Sequence, residues 1–269
     1  FRDLKCKIFF ILNMFDIFPI KAFSDNYIWT MVEGTNAVVV DPGDPLPVEE
    51  RLEELGLHLQ GIVITHHHYD HSGGIEKLQS IYDCDAYGPS GGHIKGINKP
   101  LQDNEVFNIL GKNFTALSTP GHTDDQLAYF HHDKVNSILF CGDTLFAAGC
   151  GRLFEGTPVQ MNNSLKRFAI LPKETQVYCG HEYTESNLMF AREVEKENKD
   201  VLDRLKIVTA LREKNLITLP STIELELKTN PFMRVHLDSV IKSAEDHSSS
   251  TLLTEAEVLG YIRIWKDNF

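Results

Sequence analysis

The chain has 269 residues, of which 42% are hydrophobic and 24% charged, and its formal net charge is -12. This composition is typical of a globular protein with one large domain, or one domain and an appendage. The acidic balance disfavours nucleic acids and anionic membranes as partners, so an anionic substrate requires a local basic pocket. No apolar run approaches the ~20 residues that a membrane span needs.

The first thirteen residues carry a short basic and then apolar pattern that faintly resembles a signal peptide. The apolar run is short and no small-residue cleavage site follows it. We therefore interpret residues 1-13 as an extension, disordered or non-native, ahead of a functional start at Met14.

The five cysteines form no even framework and no closely spaced pair, which indicates a reducing compartment, the cytoplasm. They are Cys6, Cys84, Cys141, Cys150 and Cys179.

The chain after Met14 begins with a mixed α/β pattern. Strands are predicted over 27–33 and 37–40, joined by a turn, and a helix over 47–55 follows a breaker-rich loop. A buried strand over 59–64 then leads directly into the sequence Thr-His-His-His-Tyr-Asp-His, residues 65–71.

This histidine-rich stretch predicts a metal site. Its candidate ligands are His66, His68, Asp70 and His71. Imidazole with carboxylate suits zinc, iron or manganese, and the absence of a nearby Cys-x-x-Cys pair argues against a closed structural zinc site. On extended chain, side chains at i and i+2 point the same way, so His67 and Tyr69 should point away from the metal.

Three later strands end in the same manner, each in a short turn that presents a His or an Asp. The strands predicted over 114–118, 137–140 and 176–178 run into His122, Asp143 and His181. One ion is then assigned to His66, His68 and His122, and a second to Asp70, His71 and His181, with Asp143 able to bridge them. Such a pair of ions lowers the pKa of trapped water toward ~7 and attracts a polarised carbonyl oxygen.

The last third of the chain is predicted to be helical, with a boundary near residue 185. Helices are expected over 186–197, 201–214, 234–244 and 254–265, and the last begins with a capping box at Thr254. The predicted organisation is a catalytic part, 14-185, followed by a helical part, 186-269.

Several motifs together resemble the glyoxalase II family, the hydroxyacylglutathione hydrolases of the metallo-β-lactamase superfamily. Besides the histidine cluster, they are Ser-Asp-Asn-Tyr-Ile-Trp at 24–29, Cys-Gly-Asp-Thr-Leu-Phe at 141–146, Gly-Cys-Gly-Arg at 149–152, Cys-Gly-His-Glu-Tyr-Thr at 179–184 and Asn-Pro-Phe-Met-Arg at 230–234. The resemblance implies an α/β fold, an αββα sandwich with a C-terminal helical domain. It also implies two divalent ions per chain, zinc first, with iron and manganese as alternatives.

The same resemblance implies hydrolysis of S-D-lactoylglutathione to D-lactate and glutathione, the second step of methylglyoxal detoxification, by a hydroxide held between the ions. Asp70 then orients the nucleophile or handles its proton, and a monomer without nucleic-acid or membrane partners is expected. The implied glutathione contacts are Arg152, Tyr183, Arg263 and Lys266. The last two share a helix face and should clamp the glycine carboxylate, so the helical domain 186-269 is expected to bind glutathione.

Two departures from the family pattern are expected to alter affinity at most. Phe154 stands where a tyrosine is common, and Gln126 where a histidine is often seen. The alternatives are another hydrolase of the superfamily, a lactonase or β-lactamase, a persulfide dioxygenase with a single iron, and a non-catalytic binding protein.

Overall fold

The computed structural model describes residues 16–269, so the interpretation of residues 1-13 and Met14 lies outside the described residues. Two six-stranded sheets form the centre of the fold. The first has the order β1-β2-β3-β4-β5-β6, so all six strands are neighbours in chain order. Its strands are β1 (Asp16–Ala22), β2 (Asn26–Glu33), β3 (Asn36–Val40), β4 (His58–Val63), β5 (Asp85–Pro89) and β6 (Lys99–Leu101).

The second sheet takes up the chain after residue 105, in the order β14-β13-β10-β9-β8-β7. It contains β7 (Val106–Ile109), β8 (Lys112–Ser118), β9 (Leu127–His132) and β10 (Ser137–Gly142), followed by a separate hairpin of β11 (Leu145–Phe146) and β12 (Gly149–Cys150), and then by β13 (Gln176–Cys179) and β14 (Ser221–Thr222).

Nine α-helices lie in the described residues. They are α1 (Leu46–Leu55), α2 (Tyr69–Ser72), α3 (Ile75–Tyr82), α4 (Pro158–Ala169), α5 (Thr184–Val194), α6 (Lys199–Arg212), α7 (Ile223–Thr229), α8 (Asp238–Ser248) and α9 (Glu255–Asp267). Within residues 16–269, no helix is both long enough and apolar enough to cross a membrane.

Side chains alternate between the two faces of each strand, so each sheet packs against helices on one face and against the other sheet on the opposite face. In β3, Val39 points to one face of the first sheet and packs with Val48 of α1 and Leu78 of α3. Val38 points to the other face and joins Phe140 of the second sheet in the central core. The result is the expected αββα sandwich, with the helical C-terminal region packed against it.

Most of the elements predicted from the sequence lie within two or three residues of the observed bounds, and the structure confirms the capping box at Thr254. The helix expected over 234–244 was wrong at its start, because Leu237 is extended and the helix begins at Asp238. Arg234 instead donates to Glu195 at 2.7 Å. The sequence analysis also missed β1, β9, β11, β12, β14, α2, α4 and α7.

Candidate metal centre

The metal centre lies where strands from both sheets end. Strands β8 and β10 are each antiparallel to β9, and β13 is parallel to β10, so β8, β10 and β13 run the same way. Their carboxyl ends therefore meet at one edge and deliver His122, Asp143 and His181. The loop after β4 brings the histidine cluster to the same place.

The first expected triad is assembled around His68. Its Nδ1 lies 3.1 Å from Nε2 of His66 and 3.1 Å from Nε2 of His122. One donor atom from each of the three residues lies within 4.8 Å of the others, close enough to share one ion. His67 points away from this triad, as predicted, and Tyr69 is 74% exposed.

The second expected triad is equally close. Nε2 of His71 lies 3.3 Å from Nε2 of His181 and 3.4 Å from Oδ2 of Asp70. Oδ2 of Asp70 lies 3.5 Å from Nε2 of His181 and accepts a hydrogen bond from Asn26 at 2.9 Å. Asn26 thereby fixes the direction in which this carboxylate faces.

Asp143 lies between the two triads. Its Oδ1 is 3.4 Å from Nε2 of His71, and its Oδ2 is 3.3 Å from His181 and 3.5 Å from His122. Oδ1 is buried and accepts no hydrogen bond from any described residue. A buried carboxylate oxygen without a donor is costly unless a cation satisfies it, so the donor set fits a pair of ions with Asp143 between them.

Four of the imidazoles are held from behind at Nδ1. The partners are Thr65 Oγ1 for His66 (3.0 Å), Asp41 Oδ2 for His71 (3.0 Å), the Arg152 carbonyl for His122 (2.8 Å) and Asp25 Oδ1 for His181 (2.7 Å). With an acceptor at Nδ1, the proton stays there and the Nε2 lone pair faces the centre. This arrangement orients metal ligands and raises their basicity.

Sequence reasoning missed Asp41, which ties two loops together at the end of β3. Its carboxylate accepts from the backbone N–H and from the hydroxyl of Thr65, both at 2.7 Å. The neighbouring Gly43 has no room for a side chain, because a Cβ there would collide with the Asp70 carbonyl. Asp41 follows an apolar strand as the predicted ligands do, and that signal could have marked it.

Burial and charge act differently on the two triads. Burial lowers the pKa of His66, His68 and His122 below the usual range, so these imidazoles are neutral. Burial acts the same way on His71 and His181, but the charge of the Asp143 carboxylate, together with hydrogen bonds to Asp41 and Asp70 at His71 and to Asp143 and Asp25 at His181, outweighs it and raises their pKa values. Metal binding at the second triad must therefore release protons, which makes it stronger as pH rises.

A cavity of about 520 Å³ opens onto the centre. It is lined by His68, Asp70, His122, Asp143, Phe146, Cys150, Arg152, Phe154, His181, Tyr183, Ser186, Asn187, Arg263 and Lys266. Five of the predicted ligands and all four predicted glutathione contacts therefore share one cavity. His66 and His71 lie behind it, fully buried.

The cations of the cavity have different surroundings. Arg263 is 5% exposed, and its guanidinium donates to the Cys150 carbonyl at 2.8 Å and to Asp267 at 3.0 Å. Arg152 is largely exposed and pairs with the same Asp267 carboxylate at 3.3 Å. Arg263 thus also anchors α9. Together with Lys266, the two arginines place three positive charges near the single Asp267 carboxylate, which leaves this part of the cavity positive.

Aromatic rings lie against the imidazoles. Tyr183 stacks on His181, with ring centroids 4.9 Å apart. Phe154 is 62% exposed and presents its ring to His68 and His122. Gln126 is absent from the cavity lining and is buried instead, where it donates to the Cys141 carbonyl at 3.0 Å.

Comparison with known proteins places the chain in a family. Residues 25–181 match the model of the metallo-beta-lactamase superfamily, and residues 182–269 match that of the hydroxyacylglutathione hydrolase C-terminus. A hydroxyacylglutathione hydrolase from Pseudomonas paraeruginosa is 48% identical over 95% of this chain and 100% of its own length. This chain belongs to the hydroxyacylglutathione hydrolase family.

A second sequence relative and a solved structure are consistent with this family assignment. The Pseudomonas aeruginosa member is also 48% identical, with 95% of this chain and 100% of its own length covered. The crystal structure of the B3 metallo-beta-lactamase BLEG-1 covers 82% of this chain and 99% of its own, with a TM-score of 0.60 and 21% identity. At that identity the likeness concerns the fold alone, so it does not favour the β-lactamase alternative.

Proposed function

We propose that this chain hydrolyses the thioester of S-D-lactoylglutathione and related 2-hydroxyacylglutathiones to the free acid and glutathione. The observation that carries the proposal is the shared cavity, in which metal-type donors and three cations line one space of about 520 Å³. Hydroxyacylglutathione hydrolases at 48% identity support the same substrate class.

The seven residues predicted as ligands fit two divalent ions, which we take to be zinc because imidazole and carboxylate donors suit it. They are His66, His68, Asp70, His71, His122, Asp143 and His181. When bound, such ions supply Lewis acidity and make hydroxide available near neutral pH.

Asp70 is suited to handle the proton of the attacking water. Its side chain is 40% exposed, whereas those of His71 and His181 are nearly buried. Burial favours the protonated carboxyl, but the hydrogen bond and positive charge of His71, with the hydrogen bond from Asn26, outweigh it and hold the pKa of Asp70 below the usual range. The carboxylate is therefore ionised and can orient the water by accepting a hydrogen bond from its O–H, the position from which it would also take the proton.

The thiol leaving group needs little further catalytic help from the protein. The water oxygen bonds to the carbonyl carbon, the carbon–sulfur bond breaks, and the sulfur leaves with the electron pair as a thiolate. A free thiol has a pKa of about 8.5, so the thiolate leaves without a strong general acid. Nucleophile positioning is then the main task of the residues at the centre.

The helical part, 186-269, supplies Arg263 and Lys266 to hold the glycine carboxylate of glutathione, while Arg152 and Tyr183 come from the catalytic part, 14-185. We take the working protein to be a monomer in the cytoplasm. The four cysteines in residues 16–269 are buried free thiols, which supports a reducing compartment.

The proposal is tested by following loss of thioester absorbance on S-D-lactoylglutathione, with metal analysis of the same sample. We expect turnover in protein that holds two ions, with no cleavage of lactones or β-lactams in parallel assays. A two-ion sample that leaves the thioester intact would refute the function while sparing the family assignment. A single bound iron would instead favour the dioxygenase alternative.

Substrate affinity should weaken as pH rises through about 8. Burial, reinforced by the nearby Arg263 charge, lowers the pKa of Lys266 to about 8. Below that pH the ammonium attracts the substrate carboxylate, and above it the attraction is lost. We expect KM for S-D-lactoylglutathione to rise about threefold between pH 8 and 9, less than the tenfold limit for one essential charge because Arg263 stays charged.

The matched control is Lys266→Arg, since a guanidinium keeps its charge at these pH values. Its KM should be flat across pH 8 to 9 after correction for uncatalysed hydrolysis. Identical pH profiles for the two proteins would show that Lys266 does not bind the carboxylate.

Phe154→Tyr should tighten substrate binding. Phe154 lines the cavity and is 62% exposed, so an added hydroxyl needs no buried partner in the free protein. One new hydrogen bond to glutathione contributes about 0.5–1.5 kcal/mol, which corresponds to a KM about two- to tenfold lower at unchanged kcat. Phe154→Leu, which adds no hydroxyl, is the control, and an unaltered KM in the tyrosine variant would contradict the prediction.

A further inference from the structure

A second cluster of metal-type donors lies outside the centre, on the far side of the histidine loop. His67 stands between two expected ligands but faces away from them, and its Nδ1 lies 3.0 Å from Oδ1 of Asp125. His93 reaches the same carboxylate, with Nε2 at 2.8 Å from Oδ2. Two imidazoles from separate loops therefore converge on one aspartate.

The geometry of this cluster suits an ion. One donor atom each from His67, His93 and Asp125 lies within 4.8 Å of the others. The Asp125 side chain is 10% exposed, while those of His67 and His93 are 29% and 44% exposed, so an ion can enter from solvent. The Thr123 hydroxyl donates to Oδ1 of Asp125 at 2.7 Å and fixes the carboxylate.

The far nitrogen of His67 carries a further sign of a metal ligand. Its Nε2 lies 3.1 Å from Oε1 of Glu155, so Glu155 can hold a proton on Nε2 when Nδ1 binds an ion. A carboxylate behind a ligating imidazole is the usual arrangement at metal sites in proteins. With neutral imidazoles, the two carboxylates leave the cluster doubly negative, which a divalent cation neutralises.

A hydrogen-bonded cluster without an ion is the competing explanation, since Asp125 can accept a proton from each imidazole. It accounts for the contacts at Asp125. In that arrangement His67 is an imidazolium that donates to Asp125 and to Glu155, whereas in the ion-bound arrangement the ion takes the place of the Nδ1 proton.

We propose that His67, His93 and Asp125 form a third cation site, which takes a divalent transition ion such as Zn²⁺ and in which Glu155 orients His67. The ion would join the loop of His66 and His68 to the loop of His122. It would therefore stabilise the region that holds the first triad without itself contacting the cavity. This site is independent of the proposed hydrolysis.

Zinc binding by the full chain, measured by equilibrium dialysis across a series of free zinc concentrations, tests the site. Wild-type protein should reach three ions per chain, and His93→Ala and Asp125→Asn should reach two, or bind the third at least about tenfold more weakly. His93 is half-exposed, so its alanine variant should fold. His58→Ala, which removes an exposed histidine elsewhere, should keep three.

Thermal unfolding supplies a second readout. Because the ion binds only the folded chain, zinc beyond two equivalents should raise the Tm of wild-type protein and of His58→Ala but not that of His93→Ala. Saturation of the wild type at two ions, or a third ion retained in His93→Ala, would overturn the proposal. Both results concern ion counting, so neither bears on thioester hydrolysis.

Discussion

Asp70→Ala should lose the second metal ion and most of its turnover together. In the second triad, Oδ2 of Asp70 lies 3.4 Å from Nε2 of His71 and 3.5 Å from Nε2 of His181. Alanine leaves this ion two imidazoles and the shared Asp143 carboxylate, and it removes the group proposed to orient water. Because such an ion contributes several kcal/mol to the rate, kcat should fall at least about a hundredfold.

The experiment pairs kcat on S-D-lactoylglutathione with metal counting after dialysis. We expect one ion in Asp70→Ala, held by the triad of His66, His68 and His122, and two in the wild type. Glu76→Ala removes an exposed carboxylate from the next helix and should keep both ions and normal kcat. Two tightly held ions and a near-normal rate in Asp70→Ala would show that Asp70 has neither role.

Much of this centre could be predicted because its signals are local. Each predicted ligand follows an apolar strand after a short turn, and a strand end can be recognised from a few residues. The topology then brings the ends together, since β8, β10 and β13 run parallel. His66 and His68 also met as expected, with nitrogens 3.1 Å apart, although the chain there bends rather than continuing the strand.

The supporting contacts could not be predicted, because they join residues far apart in sequence. Asp25 accepts from His181 across 156 positions, and Arg263 donates to the Cys150 carbonyl across 113. Nothing near Asp25 or Arg263 in the sequence reveals these partners. For Arg263 the consequence is chemical: a residue expected to serve substrate alone also holds α9 onto the β11–β12 hairpin.

That hairpin depends on a buried charge network that the sequence did not reveal. Glu226 on α7 is 0% exposed. Its Oε1 accepts from Arg204 at 2.8 Å and from the Ser221 hydroxyl. Its Oε2 accepts from the backbone N–H of Ala148 at 2.7 Å and from Asn230 at 2.9 Å. Glu226 therefore ties the helical region to the hairpin whose Phe146 and Cys150 line the cavity.

Glu226→Ala should be the most destabilising of the substitutions considered, by about 3–5 kcal/mol. The free energy is lost because the Arg204 charge stays buried without its partner, and because the backbone N–H of Ala148 and the Ser221 hydroxyl lose their acceptor. For a chain of this length the fall in Tm should be about 10 °C. The double variant Glu226→Ala with Arg204→Met should recover part of the lost Tm, since the buried unpaired charge is then gone.

The control for this loss lies two residues away on the same helix. Glu224 pairs with Lys228 at 2.7 Å, but both side chains are about half-exposed. Solvent screens that pair, so Glu224→Ala should lower the Tm far less than Glu226→Ala does. Thermal unfolding of the two alanine variants, each with its metal content measured, separates the buried network from helix propensity and from metal loss. Equal Tm shifts would mean that Glu226 does not anchor the hairpin.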